Sequence, residues 1–481
     1  MASELGLPQI LITFTSQATS AITRSSRGVV TMILNDENVT DDDGVTYKLI
    51  EDSSDIPSSG ITSSNADLIT KALMGTPYKI HAYFIPPATH EEEQVQTRTE
   101  TYTVDSDVVV EHTVDSDVVV ERTVDSDVVT TNADTGETET HTIQVTITDT
   151  EVQTITYTDT EVQQVTYTDT VTETVTVTVD ATVTQADALK KCANVKFNYI
   201  CHPSGTSQDQ QNLALWVANQ RTNKHKTFKA VVANYAANNY GVINFTTGGI
   251  KIDNPAYVAA LEAAEGDESA VDVTIPKYIT YSAKQYTARI AGILAGISLD
   301  RSATYYTLSE VVDVDEYDDI DTHINNGELC LFDEKDGGGV KIARGCNSLT
   351  TFSTTIGEDF RFIKIIETID LIKNDIQETF RNDYVGKVAN TYDNKMLFVS
   401  AIHSYFNALE GNVLDRAASN SNYVAIDYAK NYNYAKSKGR DVASMSTQQI
   451  LETNTGTQVF LNGRITPVNA MEDLELAFTL E

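Results

Sequence analysis

Both ends of this chain have the pattern of a β-strand, and neither has an obvious partner strand nearby in the sequence. Leu7–Phe14 alternates apolar and polar residues after a proline, and Asp473–Leu480 alternates them as well. A lone strand is unstable in water because its backbone N–H and C=O groups are unpaired. We therefore predict that both ends are arms that add strands to a sheet in another subunit. The predicted inter-subunit arm residues are Pro8, Ile10, Ile12, Phe14, Leu474, Leu476, Phe478 and Leu480.

Length and composition set the broad class of protein. A chain of 481 residues suggests two to four domains, and an apolar share of 41% is enough for buried cores. No apolar run approaches the roughly 20 residues that span a bilayer, so we expect no transmembrane helix. The first residues lack a basic region followed by an apolar one, so we expect no signal peptide. The four cysteines have no CxxC spacing, and reduced thiols in a cytoplasmically folded protein are favoured.

The net charge of −35 excludes two classes of partner. A nucleic-acid binder needs a basic face, and an anionic membrane attracts basic segments, so we expect neither partner. The charge is concentrated between Glu91 and Asp180, where 22 acidic residues face two arginines and no lysine. More than half of the excess charge thus lies in under a fifth of the chain.

This acidic stretch consists of internal repeats with a period of ten residues. The repeats are Thr103–His112, Thr113–Arg122, Thr123–Asn132, Thr148–Tyr157, Thr158–Tyr167 and Thr168–Val177. Threonine and valine dominate and helix caps are absent, which predicts strands. An even period keeps equivalent side chains on one face of the pleat. We predict extended hairpins or a small solenoid, with a turn at Asp134–Gly136.

Alternating oxygen ligands such as Asp105 and Asp107 would suit calcium. No glycine turn of the kind seen in calcium loops accompanies them, so a solvated acidic strand face is favoured. Because the repeats interrupt a more ordinary sequence, we interpret them as an insertion in a small β-domain, whose strands are predicted at Gly28–Leu34, Thr46–Ile50 and Lys79–Phe84.

From Ala186 the pattern changes to alternating strands and helices, which predicts an α/β layer with mostly parallel strands. The predicted strands are Phe197–Cys201, Phe228–Ala233 and Gly241–Phe245, and a hairpin is predicted from Glu328–Phe332 and Val340–Arg344. Ser207 is the predicted cap of a helix over Asp209–Gln220, with Gln210 in the capping-box position, and Ser282 of a helix reaching about Ile297.

From Arg361 the pattern is helical. Isoleucines spaced three and four residues apart from Ile365 to Ile376 predict one buried stripe. Phe398 to Leu409 repeats that spacing, and Gly411 lies where a helix should stop. Near the end, Asn462-Gly463 is the predicted turn between a strand at Val459–Leu461 and the terminal run. An α+β domain is therefore expected here.

Motifs that carry chemistry are mostly missing. The sequence has no HExxH, no GxSxG and no glycine-rich phosphate loop. His202 follows Cys201 at a predicted strand end, but adjacent strand residues point to opposite faces and do not form a catalytic dyad. We expect no catalytic, cofactor or metal site, and the protein is predicted not to be an enzyme.

Three segments together resemble a known family. Arg361–Val388, followed by Asn390 and Asn394-Lys395, resembles the C-terminal signature of contractile tail sheath proteins of Gram-positive myophages and phage-tail-like bacteriocins. Leu7–Phe14 with Arg24–Gly28 resembles that family's N-terminal arm, and Gly463–Leu474 its C-terminal arm. The similarity covers most of the chain apart from the acidic repeats.

The resemblance implies an α+β multidomain fold with a central α/β domain of subtilisin-like fold and terminal β-arms exchanged between subunits. The implied parts are an N-terminal arm (1–28), a β-domain (29–185) with the insertion at about 91–180, the central domain (186–350), a C-terminal sheath domain (351–462) and a C-terminal arm (463–481). No Asp/His/Ser set accompanies the subtilisin-like fold, and fold alone does not carry function.

The implied function is that of a structural subunit that polymerises helically around a tail tube and contracts to drive the tube through a host cell envelope. Expected partners are further copies of the chain in hexameric rings, the tube protein, and baseplate and terminator proteins. The expected location is the virion tail, assembled in the bacterial cytoplasm. A secreted β-repeat adhesin is the alternative, and a degenerate hydrolase is a third reading.

Overall fold

The structure, a computed structural model, describes residues 28–104, 121–131, 138–148, 165–335, 337–417 and 422–479. The chain divides into two compact units. One contains the residues up to Ala88 and those from Ala181 onward, and the other is Thr89–Asp180. Within the described residues, no helix has the length and apolarity required to cross a bilayer.

The described part of the chain contains eighteen β-strands. They are β1 (Val29–Asn35), β2 (Thr46–Ile50), β3 (Lys79–Ile85), β4 (Thr89–Val104), β5 (Glu121–Thr131), β6 (Thr138–Thr148), β7 (Val165–Asp180), β8 (Tyr199–Cys201), β9 (Lys229–Ala233), β10 (Val242–Phe245), β11 (Ile250–Asp253), β12 (Tyr278–Tyr281), β13 (Val311–Asp313), β14 (Glu328–Leu329), β15 (Leu331–Asp333), β16 (Val340–Ile342), β17 (Tyr423–Ile426) and β18 (Leu461–Arg464).

Ten α-helices accompany them in the same residues. They are α1 (Ser63–Leu73), α2 (Gln185–Cys192), α3 (Ser207–Asn223), α4 (Pro255–Ala263), α5 (Ala283–Gly296), α6 (Ile320–Asn325), α7 (Ile363–Thr379), α8 (Tyr392–Leu409), α9 (Tyr428–Ser437) and α10 (Thr447–Leu451). As predicted, Ser282 caps α5: its hydroxyl accepts a hydrogen bond from the backbone N–H of Gln285, and the Gln285 side-chain oxygen accepts one from the backbone N–H of Ser282.

A seven-stranded sheet forms the centre of the larger unit, in the order β14-β10-β9-β8-β1-β3-β2. All neighbours are parallel except β2 and β3, which confirms the prediction of mostly parallel strands. The inner strands are runs of buried apolar residues, as expected for strands covered on both faces. Helices α1 and α5 pack on one face, and α2 and α3 on the other.

This sheet corrects the division predicted at residue 186. Strands β1 and β3 precede that point, β8 and β9 follow it, and β1 pairs directly with β8 at Val30 and Tyr199. Residues 29–85 and 199–329 therefore contribute to one sheet rather than to a separate β-domain and α/β domain.

Two local predictions are also corrected. Helix α3 is capped by Thr206 rather than Ser207, because the Thr206 hydroxyl accepts a hydrogen bond from the backbone N–H of Asp209 at 3.2 Å. The predicted hairpin strand Glu328–Phe332 is split: β14 joins the large sheet, and only β15 pairs with β16.

A buried ionic cluster connects helix α7 to this sheet. The Asp370 carboxylate accepts two hydrogen bonds from the Arg221 guanidinium, both at 2.9 Å, and one from the Lys229 ammonium at 2.9 Å. Lys229 also contacts Glu367 at 2.6 Å, and Glu367 accepts a hydrogen bond from the Tyr199 hydroxyl. Burial alone would lower the pKa of Arg221, but Asp370 raises it above its ordinary value. The first half of α7 is thus held to the sheet by paired charges.

The C-terminal part of the chain has its own apolar core. It joins α7 and α8 to β17 through side chains that include Ile372, Phe398, Ile402 and Val424. Ile372 and Ile376 of the stripe predicted on α7 and the apolar stripe on α8 contribute to this core, and α8 ends at Leu409, two residues before Gly411. The helical predictions for this region are confirmed.

The unit Thr89–Asp180 consists of two antiparallel ribbons in its described residues. Thr89 of β4 faces Asp180 of β7, and Glu121 of β5 faces Thr148 of β6. The β4–β7 pairing can be continued one residue at a time, forward from Thr89 and back from Asp180. This count reaches the same partners that β5 and β6 have, so both ribbons follow one register. The two Asp residues considered for calcium, Asp105 and Asp107, lie outside the described residues.

Candidate assembly site

Strands β17 and β18 form a two-stranded antiparallel sheet in which Val424 faces Gly463. The Val424 side chain is buried in the C-terminal core, and its backbone N–H donates a hydrogen bond to His403 Nε2 on α8 at 3.0 Å. Helix α8 therefore covers part of the outer edge of β17. Strand β18 is the more exposed one, and no third strand pairs with it among the described residues. A short sheet with an open edge can accept an added strand.

Asn462-Gly463 is not the predicted turn, because it lies inside β18. A Cβ atom on Gly463 would lie 2.3 Å from the carbonyl oxygen of Tyr423, a distance no side chain tolerates. The glycine therefore permits close approach of two backbones. Asn-Gly is a strong hairpin signal in sequence, but here the strand partner comes from β17, far earlier in the chain.

After β18 the chain continues across the surface of its own protomer. Thr466 N–H donates to the Asn422 side chain at 2.8 Å, and Pro467 forms a bridge with Leu414. Val468 N–H donates to the carbonyl oxygen of Val413 at 2.9 Å. The C-terminal arm predicted to begin at residue 463 is thus fixed to its own protomer in its first part.

Two acidic residues make the last described contacts between the C-terminal arm and the rest of its own protomer. The Glu472 carboxylate accepts a hydrogen bond from the Thr304 hydroxyl at 2.8 Å and lies 3.6 Å from Arg344 Nε. The carboxylate of Asp473 contacts Arg344 Nη2 at 2.5 Å. The Glu472 side chain is 7% exposed and that of Asp473 is 81% exposed, so burial of the chain ends between these residues.

Beyond Asp473 the chain exposes large apolar side chains. Leu474 is 87% exposed, Leu476 is 64% exposed and Phe478 is 82% exposed. No strand is assigned to Leu474–Thr479, so the predicted terminal strand is not formed within this protomer. Alternate residues of an extended segment point to one side, so these three side chains would share a face if the segment became a strand.

The other predicted arm residues cannot be placed in this way. Pro8, Ile10, Ile12, Phe14 and Leu480 all lie outside the described residues. The described residues therefore include three of the eight predicted arm residues, all exposed on the C-terminal arm. Sequence analysis missed the residues that hold this arm, Thr304 and Arg344, since no local pattern connects them to Glu472.

Cys201 and His202, the two residues considered for catalysis, are both buried. His202 is fully buried, with Nδ1 2.9 Å from Gln185 Nε2 and Nε2 2.5 Å from Asn35 Oδ1. Burial lowers the pKa of His202 to about 4, which disfavours the imidazolium. Burial also raises the pKa of the neighbouring Cys201 thiol, whereas a nucleophilic cysteine needs a lowered pKa. Among the described residues, no group of three or more His, Cys, Asp or Glu side chains is placed to hold a metal ion.

Comparison with known proteins gives concordant matches. A family model for the phage tail sheath protein central domain matches residues 181–348, and one for the phage tail sheath C-terminal domain matches residues 355–481. The tail sheath protein of Clostridium phage phiCD119 is 34% identical over 293 residues, which cover 60% of this chain and 74% of that protein.

Solved structures agree at the level of fold. A sheath tail protein from Listeria innocua has a TM-score of 0.54 at 17% identity, with 95% of this chain and 99% of that chain covered. A sheath tail protein from Desulfitobacterium hafniense has a TM-score of 0.53 at 20% identity, with 85% and 91% covered. The helical sheath of the anti-feeding prophage in its contracted state has a TM-score of 0.54 at 10% identity, with 95% and 94% covered.

The described residues form a mixed α/β body with an exposed apolar C-terminal arm, and Cys201 and His202 are buried within it. The phiCD119 relative and both family models then identify the class of structure it builds: the chain belongs to the phage tail sheath family. The resemblance drawn from the sequence is confirmed, and the adhesin alternative is not supported.

Proposed function

We propose that this chain polymerises into a helical sheath around a tail tube and that its terminal arms connect each copy to its neighbours. The observation that carries the proposal is the C-terminal arm, where Leu474, Leu476 and Phe478 are each at least 64% exposed in one short segment. Apolar side chains exposed side by side indicate a surface that a partner covers. Added as a strand to the open edge of β18 in another copy, the arm would bury this face and pair its backbone.

Repetition of one such contact determines the shape of the assembly. An arm on one copy and an acceptor sheet on the next form a head-to-tail contact, which produces an open helix when the rotation does not close a ring. Hexameric rings stacked with a twist are the arrangement that we propose. The N-terminal arm, Met1 to about Gly28, would add a second strand between copies in the same way.

Contraction follows if the arms act as joints. Backbone pairing in the arms would persist while the bodies of the subunits rotate and form larger contacts. The extended polymer would then be a metastable state held by a kinetic barrier, and a signal from the baseplate would start contraction at one end. The tube would be driven through the host envelope without nucleotide hydrolysis.

The remaining assignments follow the same proposal. Further partners are the tail tube, baseplate and terminator proteins, and the particle is a virion tail assembled in the bacterial cytoplasm. The central sheet would be the subtilisin-like domain of the family, and residues 351–462 the sheath domain nearest the tube. The insertion of about residues 91–180, with its net 20 negative charges, would lie on the outer surface because burying so much charge is costly.

Arm variants test the proposal by electron microscopy of the purified protein. Replacing Leu474, Leu476 and Phe478 by serine should prevent formation of tubes while leaving a folded monomer, and deleting Met1–Phe14 should do the same. A matched control replaces the alternate residues Glu475, Ala477 and Thr479 by serine, which keeps the apolar face. Normal tubes from the Leu474/Leu476/Phe478 variant would refute the role of the C-terminal arm.

A further inference from the structure

The root of the C-terminal arm is held by a contact between three distant parts of the chain. Glu472 accepts the Thr304 hydroxyl hydrogen bond at 2.8 Å, and the same hydroxyl oxygen accepts a hydrogen bond from Gly345 N–H at 2.9 Å. Arg344, next to Gly345, pairs with Glu472 and Asp473. The loop at Thr304, the segment at Arg344 and the arm therefore meet at one carboxylate.

A buried lysine, Lys364, belongs to the surroundings of this carboxylate. Lys364, in the first turn of α7, is buried, and its ammonium donates a hydrogen bond to the carbonyl oxygen of Asp300 at 3.2 Å. Burial lowers the pKa of Lys364, while the charges of Asp300 and Glu472 oppose this effect. The Thr304 hydroxyl and the Arg344 guanidinium both contact the Glu472 carboxylate directly.

The two carboxylate oxygens of Glu472 differ in their hydrogen bonding. Oε2 is buried and accepts no hydrogen bond within the described residues, and its nearest cationic contact is Arg344 Nε at 3.6 Å. A buried acceptor without a donor reduces the net stability of the contact. The root is therefore fixed, but by a contact that can open at modest cost.

We propose that Glu472 is the pivot of the C-terminal arm. Its contact with Arg344 and Thr304 positions the chain so that Leu474, Leu476 and Phe478 leave the protomer in one direction, and opening of this contact lets the arm turn. Glu472 and Arg344 are positioning residues: they make no contact with a neighbouring copy in this proposal, and they determine where the arm points. This inference rests on the proposed role of the arm in assembly.

The test measures arm direction in dilute, unassembled full-length protein. The four native cysteines are buried, so spin labels can be attached to Leu215→Cys on α3 and Ala477→Cys on the arm. In the parent protein, where the root is fixed at Glu472 and Asp473, the distance distribution should be narrower than in a variant with a released root. In Glu472→Gln the fraction of protomers with a released root should rise about tenfold, which broadens the distribution and corresponds to about 1.4 kcal/mol.

The chain offers a matched control, since Glu475→Gln removes the same charge from an exposed position beyond the pivot. Its distance distribution should equal that of the parent. Arg344→Gln removes the contacts with both Glu472 and Asp473, so it should broaden the distribution at least as much as Glu472→Gln, and adding Glu472→Gln to it should add little. Unfolding midpoints of all variants should remain close together, which separates positioning from stability.

Two further outcomes distinguish this inference from the proposed function. If Glu472→Gln and Glu475→Gln give the same narrow distribution, the pivot is wrong, whatever the arm does in assembly. If Glu472→Gln broadens the distribution but deletion of Leu474–Glu481 leaves tube formation intact, the pivot stands and the proposed use of the arm is wrong. When both hold, Glu472→Gln should also yield fewer or shorter tubes than Glu475→Gln.

Discussion

Replacing Asp370 by asparagine should release helix α7 from the central sheet. The Asp370 carboxylate is 6% exposed and accepts three hydrogen bonds from cations, two from Arg221 and one from Lys229. Asparagine has nearly the same shape but no charge, and its amide group would face the guanidinium with a donor. Two buried cations would then share one remaining anion, Glu367.

The expected cost follows from these contacts. Removing one partner of a buried ion pair costs about 3–5 kcal/mol, because the other charge stays buried without compensation. Arg221 keeps hydrogen bonds to the carbonyl oxygens of Thr227 and Phe228, and Lys229 keeps Glu367. We therefore expect the lower end, about 3 kcal/mol, which corresponds to roughly a hundredfold change in an equilibrium constant.

Native-state hydrogen exchange of peptides from α7 measures this change directly, since exchange of protected amides reports local opening. The α7 amides of Asp370→Asn should exchange about a hundredfold faster than those of the parent. Glu378→Gln on the same helix is the control. It breaks an ion pair with Lys196 in which the side chains are 58% and 43% exposed, and such surface pairs are worth about 0–1 kcal/mol. Equal exchange rates in the two variants would refute the assignment of the cluster as the contact that holds α7.

Three further predictions address other parts of the chain. Burial lowers the pKa of His81 and of His202 to about 4, so both imidazoles are neutral in the folded protein above that pH. The free energy of unfolding should therefore be full above about pH 6.5 and should fall as the pH approaches 4. In denaturant titrations His81→Gln should flatten this pH dependence, and an unchanged slope would contradict the prediction. Gly463→Val should separate β18 from β17, because a Cβ would lie 2.3 Å from the Tyr423 carbonyl oxygen. The amides of β17 should then lose protection against hydrogen exchange, and retained protection would contradict this prediction. Removing Gln94–Thr178 should leave tube formation visible in electron micrographs, and loss of tubes would make the insertion structural.

Elements whose signals are local were predictable from the sequence. Helix α5 begins after Ser282, as expected, and the residue that completes its capping box, Gln285, lies three positions further along the chain. Strands β9 and β10 are short apolar runs between polar segments, and their ends differ from prediction by about one residue. In each case the physical cause of the structure lies within the window that the pattern covers.

The pairing of β1 with β8 could not be predicted in that way. The paired residues Val30 and Tyr199 are 169 positions apart, and the acidic insertion lies between them. A local pattern identifies both as buried strands but contains no information on which strand lies beside which. The same limit explains why Arg344 and Thr304 were missed as contacts of Glu472.

The predicted arm strand illustrates a different limit, because its conformation depends on a partner. Pairing the six residues Leu474–Thr479 in a neighbour's sheet would cost roughly 1–2 kcal/mol per residue in lost backbone freedom, or about 6–12 kcal/mol in all. Burying Leu474, Leu476 and Phe478 would return about 1.5–3 kcal/mol each, and about three new backbone hydrogen bonds roughly 1 kcal/mol each. Gain and cost agree within a few kcal/mol, so pairing of this arm segment contributes little net free energy to the assembly. If the sheath contracts as proposed, the free energy that it releases must therefore come from contacts between the bodies of the subunits, which the arms only keep in register.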